Sequence, residues 1–255
     1  MEVTELSKGR YELKAPTSVE AGLVEVRLKK SAKAPADAQI YRVEGEHSAK
    51  ELVEKALESP DGAPTPAWAH AAGGAGRTAP GKTGFAAQIL GPATTFSTPR
   101  PAKKRTRSPT PRTEESPRSR SPARRMARSR PPTPRITAGA PKEYRFTSTG
   151  LEAGTNRLTY DNKGEQAHHV VAFPFREGAT LEQVKRTFHI RGRAKGPTSV
   201  DFERSRSTAV TDGGTKIVTD LELERGRYAL VCFISDRKGG PPHVAKGMIA
   251  EAKIK

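Results

Sequence analysis

The chain has 255 residues, of which 45 are basic and 28 are acidic, so its formal net charge is +17. A hydrophobic content of 34% and an aromatic content of 5% are low for one continuous core, so part of the chain is expected to stay unpacked. A single cysteine excludes an intramolecular disulfide framework, and no apolar run reaches the length of a membrane span.

The N-terminal part of the chain repeats the pattern of the C-terminal part. Residues 20–22 (Glu-Ala-Gly) match residues 152–154 at an offset of 132 positions, and the offset becomes 133 further along. Residues 48–51 and 180–183 both have the form of a capping box, in which side chains satisfy free N–H groups at the start of a helix. We therefore predict two tandem domains with the same order of strands and one short helix each.

Residues 76–83 satisfy the phosphate-binding pattern Gly-x4-Gly-Lys-Thr. That loop requires a buried strand before it and a helix after it, whose N-terminus faces the phosphates. The residues before it are small and rich in glycine, and the repeat predicts a strand over residues 83–90 in place of a helix. We therefore do not predict nucleotide binding at this segment.

Residues 93–136 are predicted to be a disordered Arg/Ser/Pro-rich tract. Residues 93–140 carry a net charge of +11, and nine of the 21 prolines lie in residues 97–135. With almost no apolar residues, such a segment cannot bury enough surface to fold. Three interpretations stay open: a solvated linker, an arm that binds nucleic acid weakly and without sequence preference, or a frame artefact that replaces the last strands of the first domain.

The C-terminal part contains a set of residues that suits a soft metal ion. Gly226-x-Tyr-x-x-x-Cys232 predicts a buried strand that ends at the cysteine. His243-x4-Met248 follows, and then a short apolar strand over residues 249–254. Upstream, an Asn-x-Gly turn leads into His168-His169-Val-Val. Thiolate, imidazole and thioether together are the donors that select copper over harder ions.

These motifs resemble the cupredoxins, the blue-copper family of plastocyanin and azurin. The resemblance implies an all-β fold of two Greek-key β-sandwiches, each with one short helix: a degenerate domain without metal ligands over residues 1–92, and a copper-binding domain over residues 137–255. It also implies one type 1 copper ion in the second domain. Its ligands are expected to be His168, Cys232 and His243 with Met248 as a weak axial ligand, and His169 is the second choice for the upstream histidine.

The chain departs from the family pattern in one respect, because ten residues, 233–242, separate the cysteine from the next histidine. Of these, residues 236–242 are polar and turn-forming, which predicts a surface excursion that leaves the ligand geometry unaltered. A metal-free structural or interaction protein is therefore an alternative, and nucleic-acid binding through residues 97–135 is another.

The resemblance implies electron transfer or copper handling with an unidentified redox partner. No acid–base pair or activated nucleophile stands out, so we do not predict an enzyme. The family resemblance implies a periplasmic or secreted protein, although the first residues show no signal peptide.

Overall fold

The structure is a computed structural model, and it describes residues 2–7, 10–14, 20–30, 37–58, 64–79, 81–91, 94–99, 133–139, 144–189 and 198–255. Within these residues the chain forms fifteen β-strands, two short α-helices and one 3₁₀ helix. The all-β fold class predicted from the sequence is confirmed. No helix in the described part of the chain is long and apolar enough to cross a membrane.

The N-terminal half of the structure comprises seven strands and one helix. In chain order they are β1 (Glu2–Ser7), β2 (Arg10–Lys14), β3 (Gly22–Lys30), β4 (Ala38–Val43), α1 (Ala49–Glu58), β5 (Ala69–Gly73), β6 (Thr83–Leu90) and β7 (Thr94–Pro99). Strand β6 has the bounds that the repeat predicts. It follows residues 76–82 directly, so the segment with the phosphate-binding pattern leads into a strand and not into a helix.

The C-terminal half comprises eight strands, one α-helix and one 3₁₀ helix. In chain order they are β8 (Arg135–Ala138), β9 (Phe146–Thr149), β10 (Gly154–Asn162), β11 (Val171–Pro174), α2 (Leu181–His189), β12 (Arg206–Ser207), β13 (Lys216–Leu223), β14 (Gly226–Val231), the 3₁₀ helix (His243–Lys246) and β15 (Ile249–Ile254). The predicted capping box starts α2, because Gln183 N–H donates to Thr180 Oγ1 at 3.3 Å and Thr180 N–H donates to Gln183 Oε1 at 2.8 Å.

The strands form one large sheet and two smaller ones. The large sheet has eight strands in the order β2-β1-β3-β6-β13-β10-β8-β9, so it contains strands of both halves. The four-stranded sheet β12-β11-β14-β15 belongs to the C-terminal half, and the three-stranded sheet β5-β4-β7 belongs to the N-terminal half.

The largest core cluster lies between the large sheet and the four-stranded sheet. Along β13, Ile217, Leu221 and Leu223 are buried and alternate with more exposed residues, as expected for a strand with one face on a core. Tyr228 and Leu230 contribute from β14. The next residue on that face of the chain is Cys232, which belongs to the same cluster.

The two halves have strand pairs of the same register. The pair β3–β6 aligns Gly22 with Leu90, and the pair β10–β13 aligns Gly154 with Leu223. The same offsets of 132 and 133 residues relate two further strand pairs. The pair Tyr41–Phe96 of β4 and β7 corresponds to Phe173–Ala229 of β11 and β14. The pair Ile40–Gly73 of β4 and β5 corresponds to Ala172–Arg206 of β11 and β12. The seven strands and the helix of the N-terminal half therefore follow the order and pairing of β8–β14 and α2. Among the described residues, β15 and the 3₁₀ helix have no counterpart in the N-terminal half.

The halves are joined through their sheets and through side chains. Strand β6 pairs antiparallel with β13, where Ala86 aligns with Thr219. Gln39 forms a reciprocal pair with the backbone of Val210, because its Nε2 donates to Val210 O at 3.0 Å and its Oε1 accepts from Val210 N–H at 2.7 Å. These contacts make a continuous hydrogen-bonded connection between the halves.

The structure differs from the sequence prediction at both ends of the tract 93–136. Strand β7 lies inside that range, and β8 begins inside it. Threonine and phenylalanine in β7 favour extended structure, and its pairing with β4 supplies the backbone hydrogen bonds that a strand requires. The prediction that residues 93–136 are disordered throughout is therefore corrected at residues 94–99 and 135–136. Residues 100–132 lie outside the described residues.

Candidate metal centre

Three donor atoms that the sequence predicts as metal ligands meet in one buried cluster. Cys232 Sγ lies 3.7 Å from His168 Nδ1 and 3.5 Å from His243 Nδ1, and the two Nδ1 atoms are 2.9 Å apart. All three residues are 2% exposed or less. Among the described residues this is the one group of histidine, cysteine and acidic side chains close enough to share a metal ion.

Backbone hydrogen bonds place each donor. His168 lies just before β11 and forms a two-way bridge with Thr211, in which each N–H donates to the other carbonyl at 2.9 Å. Cys232 directly follows β14. The chain then returns after the ten-residue loop, because His243 N–H donates to Ile234 O and Val244 N–H donates to Cys232 O, both at 2.8 Å. The loop therefore brings His243 beside Cys232.

The spacing of the donor atoms fits a transition-metal ion. The triangle formed by Sγ and the two Nδ1 atoms has a circumscribed radius of about 2.0 Å, close to the roughly 2.0–2.3 Å of metal–nitrogen and metal–sulfur bonds. Hard ions such as Mg²⁺ and Ca²⁺ require oxygen ligands. One thiolate and two imidazoles are donors that copper binds well, so the residues present suit copper.

Met248, the predicted axial ligand, lies next to these donors along the backbone. It follows Gly247, whose φ of 95° lies in the left-handed region that favours glycine and ends the 3₁₀ helix. Met248 N–H donates to His243 O at 2.9 Å, and Cys232 N–H donates to Met248 O at 3.4 Å. Its side chain is fully buried in the core cluster that contains Cys232. A ligand role for its thioether stays a prediction.

The structure separates the two adjacent histidines. His168 points to Cys232, whereas His169 Nε2 accepts a hydrogen bond from Phe233 N–H at 3.1 Å. The ring of His169 also lies edge-on to Phe233, with the ring centroids 6.4 Å apart. This arrangement agrees with the choice of His168 as the candidate ligand, because neighbouring residues of an extended chain face opposite sides.

Burial sets the protonation of the three donors. Together with the neighbouring His243, it lowers the pKa of His168 from 6.5 to about 3. Burial also lowers the pKa of His243, against the opposing effect of the Asp236 carboxylate. It raises the pKa of the Cys232 thiol from 9.0 to about 12, although two backbone hydrogen bonds oppose the change. A metal that binds the thiolate at neutral pH must therefore displace its proton.

The ten-residue loop is more than a surface excursion, which corrects the sequence prediction for residues 236–242. His243 Nε2 and Asp236 Oδ1 are 2.9 Å apart, and Tyr144 OH donates to the same oxygen at 3.0 Å. Lys246 Nζ donates to Asp236 Oδ2 and to the Tyr144 hydroxyl. Sequence reasoning missed Asp236 because a polar, Gly- and Pro-rich segment gives no signal for which side chain turns inward.

The loop also reaches the N-terminal half. The Arg237 guanidinium donates to Pro66 O and Ala69 O, both at 3.3 Å, and to the Asp212 carboxylate. His70 is half-buried at this contact, with its Nδ1 3.0 Å from Asp212 Oδ2. The two neighbours Asp236 and Arg237 thus connect the candidate metal centre with the N-terminal half.

The N-terminal half offers no comparable cluster among its described residues. The residues that match the two histidines 168 and 169 are Ala36 and Asp37. Position 36 lies outside the described residues, and Asp37 has a carboxylate in place of an imidazole. His47 is exposed and stacks on Trp68 with the ring centroids 4.2 Å apart.

Comparisons with known proteins give structural likenesses of low identity. The sequence matches no protein-family model and no curated protein. A structure of auracyanin B is 18% identical with a TM-score of 0.30, over 48% of this chain and 86% of that one. Dithionite-reduced auracyanin from Roseiflexus castenholzii is also 18% identical with a TM-score of 0.28, over 48% and 94%. A multicopper oxidase is 11% identical with a TM-score of 0.23, over 92% and 76%.

Proposed function

We propose that the C-terminal half binds one copper ion through His168, Cys232 and His243, with Met248 as a weak axial ligand, in a cupredoxin-like site that transfers electrons or handles copper. The observation that carries the proposal is the buried triangle of one sulfur and two Nδ1 atoms, with a circumscribed radius of about 2.0 Å.

Bound copper would supply a one-electron couple between Cu(I) and Cu(II). The residues of the chain would keep the donor atoms in one arrangement for both oxidation states. The bridge between His168 and Thr211 and the backbone bonds around Cys232 and His243 restrict movement of the donors. Their burial excludes water from the thiolate. A rigid, dry donor set favours electron transfer, because little has to reorganise when the charge of the metal changes.

We further propose that the chain consists of two tandem copies of one sandwich, the first of which has lost its metal ligands. The support is the conserved pairing register at offsets of 132 and 133 residues in three pairs of strands. The first copy keeps seven strands and the helix, but among the described residues it has no counterpart of β15, and it has no cysteine. Under this proposal copper binds to the second copy alone.

Other expectations from the sequence stay predictions. Nucleic-acid binding through residues 97–135 concerns a segment that is largely outside the described residues. The absence of enzymatic activity and a periplasmic or secreted location are also untested. A metal-free structural or interaction protein is the main competing function, and the copper experiment decides between the two.

Titration of the full chain with Cu(II) tests the proposal. We expect one equivalent to bind and to produce the intense visible absorption of a copper–thiolate bond. His168→Ala should weaken binding and admit external ligands, whereas His169→Ala is the matched control and should keep the absorption. If the protein stays colourless at saturating Cu(II), and thiol titration shows that Cys232 is in the reduced form, the copper assignment is wrong.

A further inference from the structure

A carboxylate contacts the outer nitrogen of one candidate ligand. His243 uses Nδ1 toward Cys232 and His168, and its Nε2 lies 2.9 Å from Asp236 Oδ1. The ring of His243 is fully buried, whereas the side chain of Asp236 is 24% exposed. The carboxylate comes from the loop 233–242, in which the sequence predicts a surface excursion over residues 236–242.

The partners of Asp236 determine which nitrogen of His243 carries the proton. Asp236 pairs with the Lys246 ammonium and accepts from the Tyr144 hydroxyl, so it is an ionised carboxylate with acceptors only. His243 Nε2 must therefore be the donor in their hydrogen bond. In a neutral ring the lone pair then lies on Nδ1, the atom that faces Cys232 and His168.

We propose that Asp236 is a positioning residue for His243: it holds the imidazole in the Nε2–H tautomer and fixes the ring so that Nδ1 is ready to bind a metal ion. The inference rests on the proposed copper function, since it assigns a role toward that same site. Outer carboxylates of this kind orient histidine ligands and raise their basicity, and their loss typically lowers metal affinity about 10- to 100-fold.

The carboxylate is itself held from two sides. Lys246 and Tyr144 bind it from the C-terminal half, and Lys246 Nζ also donates to Tyr144 OH at 3.1 Å. The adjacent residue Arg237 fixes the loop against Pro66 O and Ala69 O of the N-terminal half. The loop position therefore depends on contacts with both halves, although the ligands belong to the C-terminal half alone.

The test compares the full-length wild type with Asp236→Asn, with Asp220→Asn as the control. Asp220 is also an aspartate paired with a cation, Arg157, but it lies on β13 outside the donor cluster. Asp236→Asn leaves a single acceptor oxygen, for which Lys246 and Tyr144 compete as donors. The amide NH₂ then faces His243 Nε2 and can only donate to it. We expect part of the population to shift to the Nδ1–H tautomer.

Two measurements read out the effect. Long-range ¹H–¹⁵N correlation of the metal-free protein reports the tautomer of His243, and competition with a chromogenic chelator reports the Cu(I) affinity. We expect a pure Nε2–H tautomer in the wild type and in Asp220→Asn. In Asp236→Asn we expect a mixed tautomer and an affinity about 10- to 100-fold lower.

The outcomes separate this inference from the proposed function. A wild-type protein that binds no copper overturns the proposed function, and with it any role of Asp236 toward a metal. If the wild type binds copper but Asp236→Asn keeps both the tautomer and the affinity, the inference alone is overturned. Should Asp236→Asn fail to fold, the wild type decides, because an Nδ1–H tautomer of His243 there contradicts the inference.

Discussion

Replacing Cys232 by serine tests whether Cys232 is a metal ligand or only a small core residue. If Cys232 is only a packing residue, Cys232→Ser costs about 1 kcal/mol or somewhat more, because the site is fully buried. If it binds copper, the substitution has a second effect. A ligand at 100 times its dissociation constant stabilises the folded state by about 2.7 kcal/mol, and for a protein of this size each 1 kcal/mol raises the Tm by about 2–4 °C.

The assay is thermal unfolding without Cu(I) and with Cu(I) at 100 times its dissociation constant. The wild type should gain roughly 5–11 °C on addition of metal, whereas Cys232→Ser should gain almost nothing. Val231→Thr is the matched control, since Val231 is the preceding buried residue and packs in the cluster on the opposite face of β14. It should lower the Tm of the metal-free protein and keep the metal-induced gain. An equal gain in Cys232→Ser would refute the ligand assignment.

Burial lowers the pKa of His168 from 6.5 to about 3. Below pH 6.5, His168 is therefore protonated in the unfolded metal-free chain but stays neutral in the folded protein. The free energy of unfolding should fall by about 2 kcal/mol between pH 7 and pH 5. Urea unfolding at both pH values should show this loss in the wild type, and a smaller loss in His168→Asn.

Met248→Leu should keep the visible absorption of the copper-loaded protein and raise its reduction potential, measured by redox titration; loss of the absorption would contradict a weak axial role. Arg237→Ala should cost about 1–2 kcal/mol in urea unfolding, whereas Arg204→Ala, from an exposed pair, should cost less than about 1 kcal/mol. Equal costs would contradict the anchoring of the loop.

Sequence patterns predicted several elements with their observed bounds. The repeat predicted strand β6 over Thr83–Leu90, and the family pattern predicted strand β15 over Ile249–Ile254. Helix α2 begins where its capping box predicts. Strand β7 was missed, since its few β-favouring residues adjoin a proline- and arginine-rich composition, and only pairing with β4 reveals it.

The candidate site was predictable where it depended on motifs and unpredictable where it depended on tertiary contacts. Strand alternation and the motif order, Gly-x-Tyr-x-x-x-Cys followed by His-x4-Met, predicted Cys232 and His243, although the ten residues between them depart from the family pattern. The roles of Asp236 and Arg237 depend on partners as distant as Tyr144 and Pro66, 92 and 171 positions away. No local pattern encodes which side chains of a polar loop turn inward, so these contacts required the structure.

The proposed repeat gives the N-terminal half a role that does not require metal ligands. Ala86 and Thr219, which align with each other across β6 and β13, are equivalent positions at the offset of 133 residues. The two halves therefore meet about an approximate two-fold axis, as in an isologous dimer interface. This pairing covers the edge of β13, which would otherwise present unpaired backbone groups.

The same half receives Arg237 from the loop that carries Asp236. The N-terminal half also contacts Asp212, whose N–H donates to Ala71 O at 2.8 Å. Asp212 directly follows Thr211, the residue that bridges to His168. Both candidate histidine ligands are thus connected by short hydrogen-bonded paths to strand β5 and the turn before it. A copy that lost its own donors would still be retained if these contacts hold the donors of the other copy in place.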